Sequence, residues 1–214
     1  YDKILADNTT IKTRTDFNTT FTETNTGTLY KATESIAGNT PKDVYYFAGD
    51  AKNNWVKFGG FYWRIIRTNY DGSIRLLYSG TSHNTTAGYI GTSKFNTSTN
   101  DPMYVGYKYG TTDSLENNRL NTNDSTIKTY IDNWYNNNLS SYSKYISTEA
   151  VYCNDRELAP GSTYNTGDTT FYYALWGRLY TNKTPTYNCT NIKDAFSGSN
   201  SEAKLTYPIG LMTA

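Results

Sequence analysis

The segment FYWRIIRTNYDGSIRLLYSG, residues 61–80, is the most sharply patterned part of this chain. Phe61, Trp63 and Ile65 fall on one side of an extended segment, and Tyr62, Arg64 and Ile66 on the other; β-branched and aromatic residues dominate both sets. Asn69-Tyr70-Asp71-Gly72 then supplies a turn ending in Asp-Gly, where a positive φ costs little. Ile74-Arg75-Leu76-Leu77-Tyr78 returns with its own alternation, so the segment predicts a β-hairpin. Large apolar groups on both faces predict a sheet covered on both sides, with Arg64, Arg67 and Arg75 at rims or in pairs.

Outward from the hairpin, Val44 to Gly49 reads as a strand, Asp50 to Asn54 as a turn, and Trp55 to Phe58 as a strand stopped by Gly59-Gly60. Residues 1–40 hold much Thr and Asn and few apolar anchors, which predicts an extended arm or stalk with a helical start, followed by a main domain over 41–214. Residues 79–122 form a long polar stretch interrupted at Met103 to Tyr107, and loops of that length are often functional. A helix is predicted from an N-cap at Asp124 or Ser125, with Ile127, Tyr130, Ile131 and Trp134 on its apolar stripe and Asn136 to Asn138 at its end. A short helix over 141–146, a strand over Ala150 to Cys153 and a loop over 155–170 follow. Phe171 to Tyr180 is an apolar-aromatic run compatible with strand or helix, and Leu205 to Met212 reads as one more buried strand.

The chain has 214 residues, enough for one substantial core, and its 20 Lys and Arg against 19 Asp and Glu leave a net charge of +1. That balance gives no electrostatic reason to expect nucleic acid or an anionic membrane surface as a partner. No run of about 18 apolar residues is present, so no direct membrane insertion is expected in this stretch. The 22 Tyr bring the aromatic fraction to 16%, sufficient for a core, and Tyr with Ser, Asn and Gly is also the palette of adaptable binding surfaces. The competing explanation is compositional bias in a bacterial surface protein.

Cys153 and Cys189 are the two cysteines. In a Thr- and Asn-rich chain they read as one disulfide in an oxidising compartment, closing a loop of about 36 residues and contributing roughly 3 to 4 kcal/mol; two buried free thiols are the competing reading. Two Cys and the single His83 do not fill a zinc shell, so no metal site is expected. His83 lies in a loop context, no nucleophile–base pattern, phosphate-binding loop or dinucleotide fingerprint is present, and no cofactor is expected. Asp155 and Glu157 flank Arg156, as a salt-bridged turn or, less in keeping with their small number of oxygens, a cation site. Asn-x-Ser/Thr sequons at Asn8, Asn18, Asn84, Asn96, Asn123, Asn138, Asn182 and Asn188 follow from the composition and carry no argument. Candidate ligand-binding residues are the loop aromatics Tyr104, Tyr107, Tyr109, Tyr164, Tyr172, Tyr173 and Trp176, which can stack on sugar or protein, with core packing expected to claim about half of them.

The order of the strands over 44–58, the hairpin FYWRIIR with DGSIRLLY, the helix STIKTYIDNWYNNNL, the CNDRE turn and the late YPIGLMTA resembles surface-exposed proteins of gut Firmicutes. Their domains look like the C-type-lectin-like fold, which includes formylglycine-generating-enzyme-like modules and the variable proteins diversified by retroelements. The resemblance covers about residues 40–214 and implies an α+β fold with an antiparallel hairpin core, one or two helices and long irregular loops. The Glu-Pro-Asn and Trp-Asn-Asp sugar motifs of calcium lectins are missing, Cys153-Asn154-Asp155 matching only part of the second, so calcium-dependent sugar binding is not implied. The reactive cysteine pair of the formylglycine-generating enzymes has no counterpart, and the family pattern continues into further strands beyond YPIGLMTA.

The resemblance implies an extracellular, cell-surface, non-enzymatic recognition or adhesion module that binds a protein or glycan on another cell through Tyr-rich loops, the hairpin being its scaffold. The alternative is a structural subunit or tip component of a pilus-like filament, self-associating through the N-terminal arm.

Overall fold

The computed structural model describes residues 1–24, 26–83, 88–97, 101 and 103–211. In chain order the described elements begin with α1 (Asp2–Asp7), β1 (Ile11–Thr13), β2 (Leu29–Glu34), β3 (Lys42–Phe47), β4 (Trp55–Phe58), β5 (Phe61–Thr68) and β6 (Ile74–Tyr78). They continue with β7 (Lys108–Tyr109), α2 (Leu115–Asn118), β8 (Asn123–Asp124), α3 (Thr126–Asn138), β9 (Tyr152–Cys153), α4 (Ala174–Trp176) and β10 (Ala195–Phe196). The chain is therefore α+β, and it divides into two units. The first comprises Tyr1–Ser35, Asn39–Gly91 and Thr186–Asn188; the second comprises Ile36–Gly38, Thr92–Pro185 and Cys189–Ala214.

The first unit is a six-stranded sheet in the order β1-β2-β3-β5-β4, with β6 on the other edge of β5. The expected hairpin forms, with Trp63 opposite Tyr78 and Thr68 opposite Ile74, and a bulge between Ile65 and Arg67. Its turn closes through the Gly72 amide donating to the Asn69 carbonyl at 2.9 Å, and Gly72 takes a φ of 82°. Asn54 lets β5 change partners: its side-chain amide donates to the Ile65 carbonyl, and its own carbonyl accepts the Ile65 amide, between the β4 and β3 pairings. The expectation of a sheet covered on both sides fails at β6, an edge strand whose Ile74 and Leu77 reach solvent. Of the arginines, Arg67 pairs with Glu34 in the interior, Arg64 lies over the Trp55 ring, and Arg75 donates to the Asn69 side chain.

Residues 1–40 are not a free arm. Leu29 and Tyr30 are fully enclosed, β2 pairs along its length with β3, and β1 adds to it in parallel. Leu29 and Tyr30 suffice as anchors because their partners Phe47 and Tyr46 come from β3. Across that pairing Tyr30 and Tyr46 are directly opposite and stack at 5.5 Å. Phe21 packs on Tyr30 at 4.7 Å and Tyr187 on Tyr46 at 5.7 Å, while Arg14 lies over Phe21 and Arg67 over Tyr187. The result is an aromatic ladder with a guanidinium at each end.

In the second unit the Ser125 hydroxyl caps α3 by accepting the Lys128 amide at 3.2 Å, as the sequence predicts. The stripe that is buried is Lys128, Ile131, Asp132 and Tyr135, turned from the expected one, so Ile127, Tyr130 and Trp134 lie at its margin. Lys128 and Asp132 tolerate burial because they pair one helical turn apart. Burial lowers the Lys128 pKa and raises that of Asp132, each opposed by the partner charge. A 3₁₀ turn over Ser140–Tyr145 stands where the second helix was expected. Residues 205–211 contain no strand; the Tyr152 hydroxyl donates to the Pro208 carbonyl and the Tyr107 hydroxyl to the Leu211 carbonyl, replacing a ladder. Side-chain space is absent there, since a Cβ on Gly210 would lie 2.6 Å from the Tyr152 ring. Met212 to Ala214 and the sequon at Asn84 lie outside the described residues.

Two outcomes test this account. Glu34→Ala leaves Arg67 buried without its charge partner and removes the acceptor of the Tyr70 amide, so it should cost about 3–5 kcal/mol in denaturant unfolding. Glu23 accepts from Lys12 and Tyr30, and those hydrogen bonds lower its pKa to about 2. A depressed carboxylate contributes stability that is present above its unfolded pKa of 4.5 and lost as pH falls toward about 2, so Glu23→Gln should flatten the acid limb of the stability profile in that window.

Candidate functional site

A guanidinium taken out of water needs an acceptor for each donor and a countercharge. Arg156 is 1% exposed and meets both demands. Its Nε donates to Asp194 Oδ1 at 2.6 Å, one terminal nitrogen reaches the Lys108 carbonyl and the Asn118 side chain, and the other reaches Asn121 Oδ1 and the Lys193 carbonyl. Asp194 carries a second ion pair to Arg119, whose guanidinium also donates to the Arg156 carbonyl. Burial lowers the Arg156 pKa, and the Asp194 charge opposes that shift. The flanking carboxylates are not its partners: Asp155, with a φ of 46°, pairs with Arg178 instead. The Asp155-Arg156-Glu157 turn is thus ion-paired but not locally closed, and among the described residues no group of three His, Cys, Asp or Glu side chains is placed to hold a metal.

The backbone leaving this buried arginine carries the aromatic run. Ala174 donates its amide to the Glu157 carbonyl, Ala159 donates to the Tyr172 carbonyl, and Leu158 bridges Tyr173. The extended start of the run alternates. Phe171 is buried against Tyr164 at 4.5 Å, Tyr172 points out, and Tyr173 points in, where burial raises its pKa. The chain then turns helical through α4 and one wide turn over Gly177–Thr181. That change of period sends Trp176 and Tyr180, one turn apart, to the same side, where they stack at 4.6 Å with 24° between their planes. Tyr172, Trp176 and Tyr180 are 66%, 66% and 64% exposed. Lys183 places its ammonium 5.2 Å from the Tyr180 ring centre, and the Asp155–Arg178 pair fastens the middle of the segment.

The sequence candidates therefore separate. Tyr172 and Trp176 are displayed. Tyr107 is a core residue against Phe196, and this burial removes it from any ligand-facing role. Tyr104 and Tyr109 are half-buried and pack edge to face on each other at 5.1 Å. Tyr164 and Tyr173 are half-buried and form the inner side of the aromatic run. Tyr180 was missed, although its spacing of four from Trp176 is the signal for a shared helical face. His83 belongs to the first unit, where its ring lies 4.4 Å from Trp55 and 5.9 Å from Tyr62. Cys153 and Cys189 form a disulfide with Cα atoms 5.7 Å apart, joining β9 to an irregular segment that forms an isolated parallel bridge with Ile36.

Comparison with protein-family models, curated proteins and solved structures finds no match to this chain. Among the described residues no helix is long and apolar enough to cross a membrane.

Asp194→Ala leaves buried Arg156 and half-buried Arg119 without their shared countercharge, and should cost about 3–5 kcal/mol, read as an early loss of the second unit in denaturant. Unfolding that coincides with wild type would remove Arg156 as the organising group.

Proposed function

We propose that this chain is an extracellular, non-enzymatic recognition module of a bacterial surface protein, binding its ligand with the exposed rings of Tyr172, Trp176 and Tyr180. The observation that carries the reading is the exposure of these three rings on a segment held from behind by buried Phe171, by half-buried Tyr173 and by the Asp155–Arg178 pair. Exposed rings on a fixed backbone give contact area with little ordering to be done on binding. Within this reading the chain is a C-type-lectin-like module. The support is the succession of hairpin, capped helix and long irregular segments, and the disulfide accords with life outside the cell.

The filament alternative needs residues 1–40 free to pair with a neighbouring subunit. Ile11–Thr13 and Leu29–Glu34 are instead taken up in their own sheet, which favours the recognition reading.

Fluorescently labelled protein should bind intact cells from at least one member of a panel of bacteria and epithelial lines. The triple variant Tyr172→Ala, Trp176→Ala, Tyr180→Ala should bind at least about tenfold more weakly at an unchanged melting temperature. Equal binding by the triple variant, or no binding by the parent protein to any cell, overturns the proposal.

A further inference from the structure

We infer that the ligand class at this face is a glycan, one pyranose ring of which lies against the outer face of Trp176. The inference rests on the recognition reading above and narrows it. Tyr180 covers one face of the Trp176 indole by stacking at 4.6 Å, and Lys183 lies against Tyr180 in turn. The indole is thus held in one orientation, yet it stays 66% exposed, which leaves its other face open to water. An aromatic face carries the negative lobe of a quadrupole. The axial C–H groups on one side of a pyranose carry small positive charge and present a flat apolar patch of matching size.

What surrounds the rings separates a sugar from the other occupants of an aromatic face. A stable protein interface needs about 800 Å² on each partner with an apolar centre, and three rings on one short segment do not supply that area. Exposed residues after Tyr180 include Thr181, Asn182 and Thr184, uncharged groups that both donate and accept hydrogen bonds, as the hydroxyls of a glycan require. Of the charges nearby, Arg178 pairs with Asp155, while Lys183, its ammonium against the Tyr180 ring, keeps its positive charge, which an acidic group on a glycan can meet as readily as a hydroxyl. Asp155 being held by Arg178, the arrangement also binds without a divalent cation.

In this scheme Trp176 touches the sugar, and Tyr180 is a positioning residue that acts through it. The two are separable: removing Trp176 abolishes the stacking surface, while removing Tyr180 leaves the indole present but unsupported.

The test uses the full chain in native affinity electrophoresis through gels containing xylan, mannan, laminarin, pullulan, hydroxyethylcellulose or gastric mucin. At least one of these should retard the parent protein equally with and without EDTA. Trp176→Ala should weaken that interaction by at least about tenfold and Tyr180→Ala by a smaller factor, both at unchanged melting temperature. Trp176→Phe should restore part of the retardation. Retardation of none of them, equal retardation of Trp176→Ala, or loss of retardation in EDTA overturns the glycan assignment. Periodate treatment of the cells distinguishes this failure from that of the broader reading. Trp176-dependent cell binding that survives oxidation of surface glycans leaves recognition standing and removes the glycan; cell binding that ignores Trp176 removes both.

Discussion

The second unit depends on the burial of one positive charge. Placing Arg156 in the interior obliges the fold to bring a carboxylate and several oxygens to it from separate parts of the chain, because an unpaired guanidinium there would cost several kcal/mol. Asp194, the Asn118–Asn121 turn, the end of β7 at Lys108 and the Lys193 carbonyl all converge on it. Each of these segments is short and irregular, with little apolar surface to position it otherwise. The apolar cluster of this unit, Tyr107, Phe196, Ala203 and Leu205, is correspondingly small, and Phe196 lies beneath the same guanidinium. Charge satisfaction therefore determines where the loops go, while the cluster supplies the water-free volume that makes charge satisfaction obligatory.

The first unit solves the same problem with a ladder of strands. Arg67 and Glu34 are buried together, and Arg67 also terminates the aromatic stack through Tyr187. Burial raises the Tyr187 and Tyr30 pKa values to about 12, so both phenols stay neutral across the physiological range. Tyrosine serves here as a large apolar body with a hydroxyl that can reach an acceptor, as Tyr30 does to Glu23. Asparagine plays the complementary part. Asn54 and Asn118 donate their side-chain amides to main-chain carbonyls that no strand or helix partner serves, at Ile65 and Met103. A sequence dense in Tyr and Asn is in this sense a core composition as much as a surface one.

Local chemistry was legible in the sequence and long-range chemistry was not. The hairpin and the Ser125 cap depend on residues within a few positions of each other, and both appear as expected. The role of residues 29–34 depends on β3, and reading them by themselves suggested an arm. On α3, hydrophobicity pointed to Ile127, Tyr130 and Trp134, but the Lys128–Asp132 pair cancels its own charge and takes the buried side. Arg156 has carboxylates on either side in sequence, yet its countercharge is Asp194, 38 residues away. The Phe171–Tyr180 run was ambiguous because it holds both periods, two for Phe171 to Tyr173 and helical from Ala174 onward. The spacing of four that relates Tyr172, Trp176 and Tyr180 was nonetheless present in the sequence.

The change of period also connects the buried arginine to the exposed rings. Arg156 fixes the path of residues 154–159, and the bonds from Glu157 and Ala159 fix Tyr172 to Ala174. From there the helical turn sets the direction of Trp176 and Tyr180. Among the described residues many large rings are folded against one another, as in the Phe21–Tyr30–Tyr46–Tyr187 ladder, though Tyr89 and Tyr145 are also well exposed. Tyr172, Trp176 and Tyr180 contribute nothing comparable to either core, and leaving such rings in water forgoes about 1.5–3 kcal/mol of burial apiece. Under the recognition proposal, anchoring one side of this segment while leaving its other side bare serves to present the rings. Rigidity has value to a binding face because the entropy of ordering the rings is lost once, on folding, and not again with every ligand.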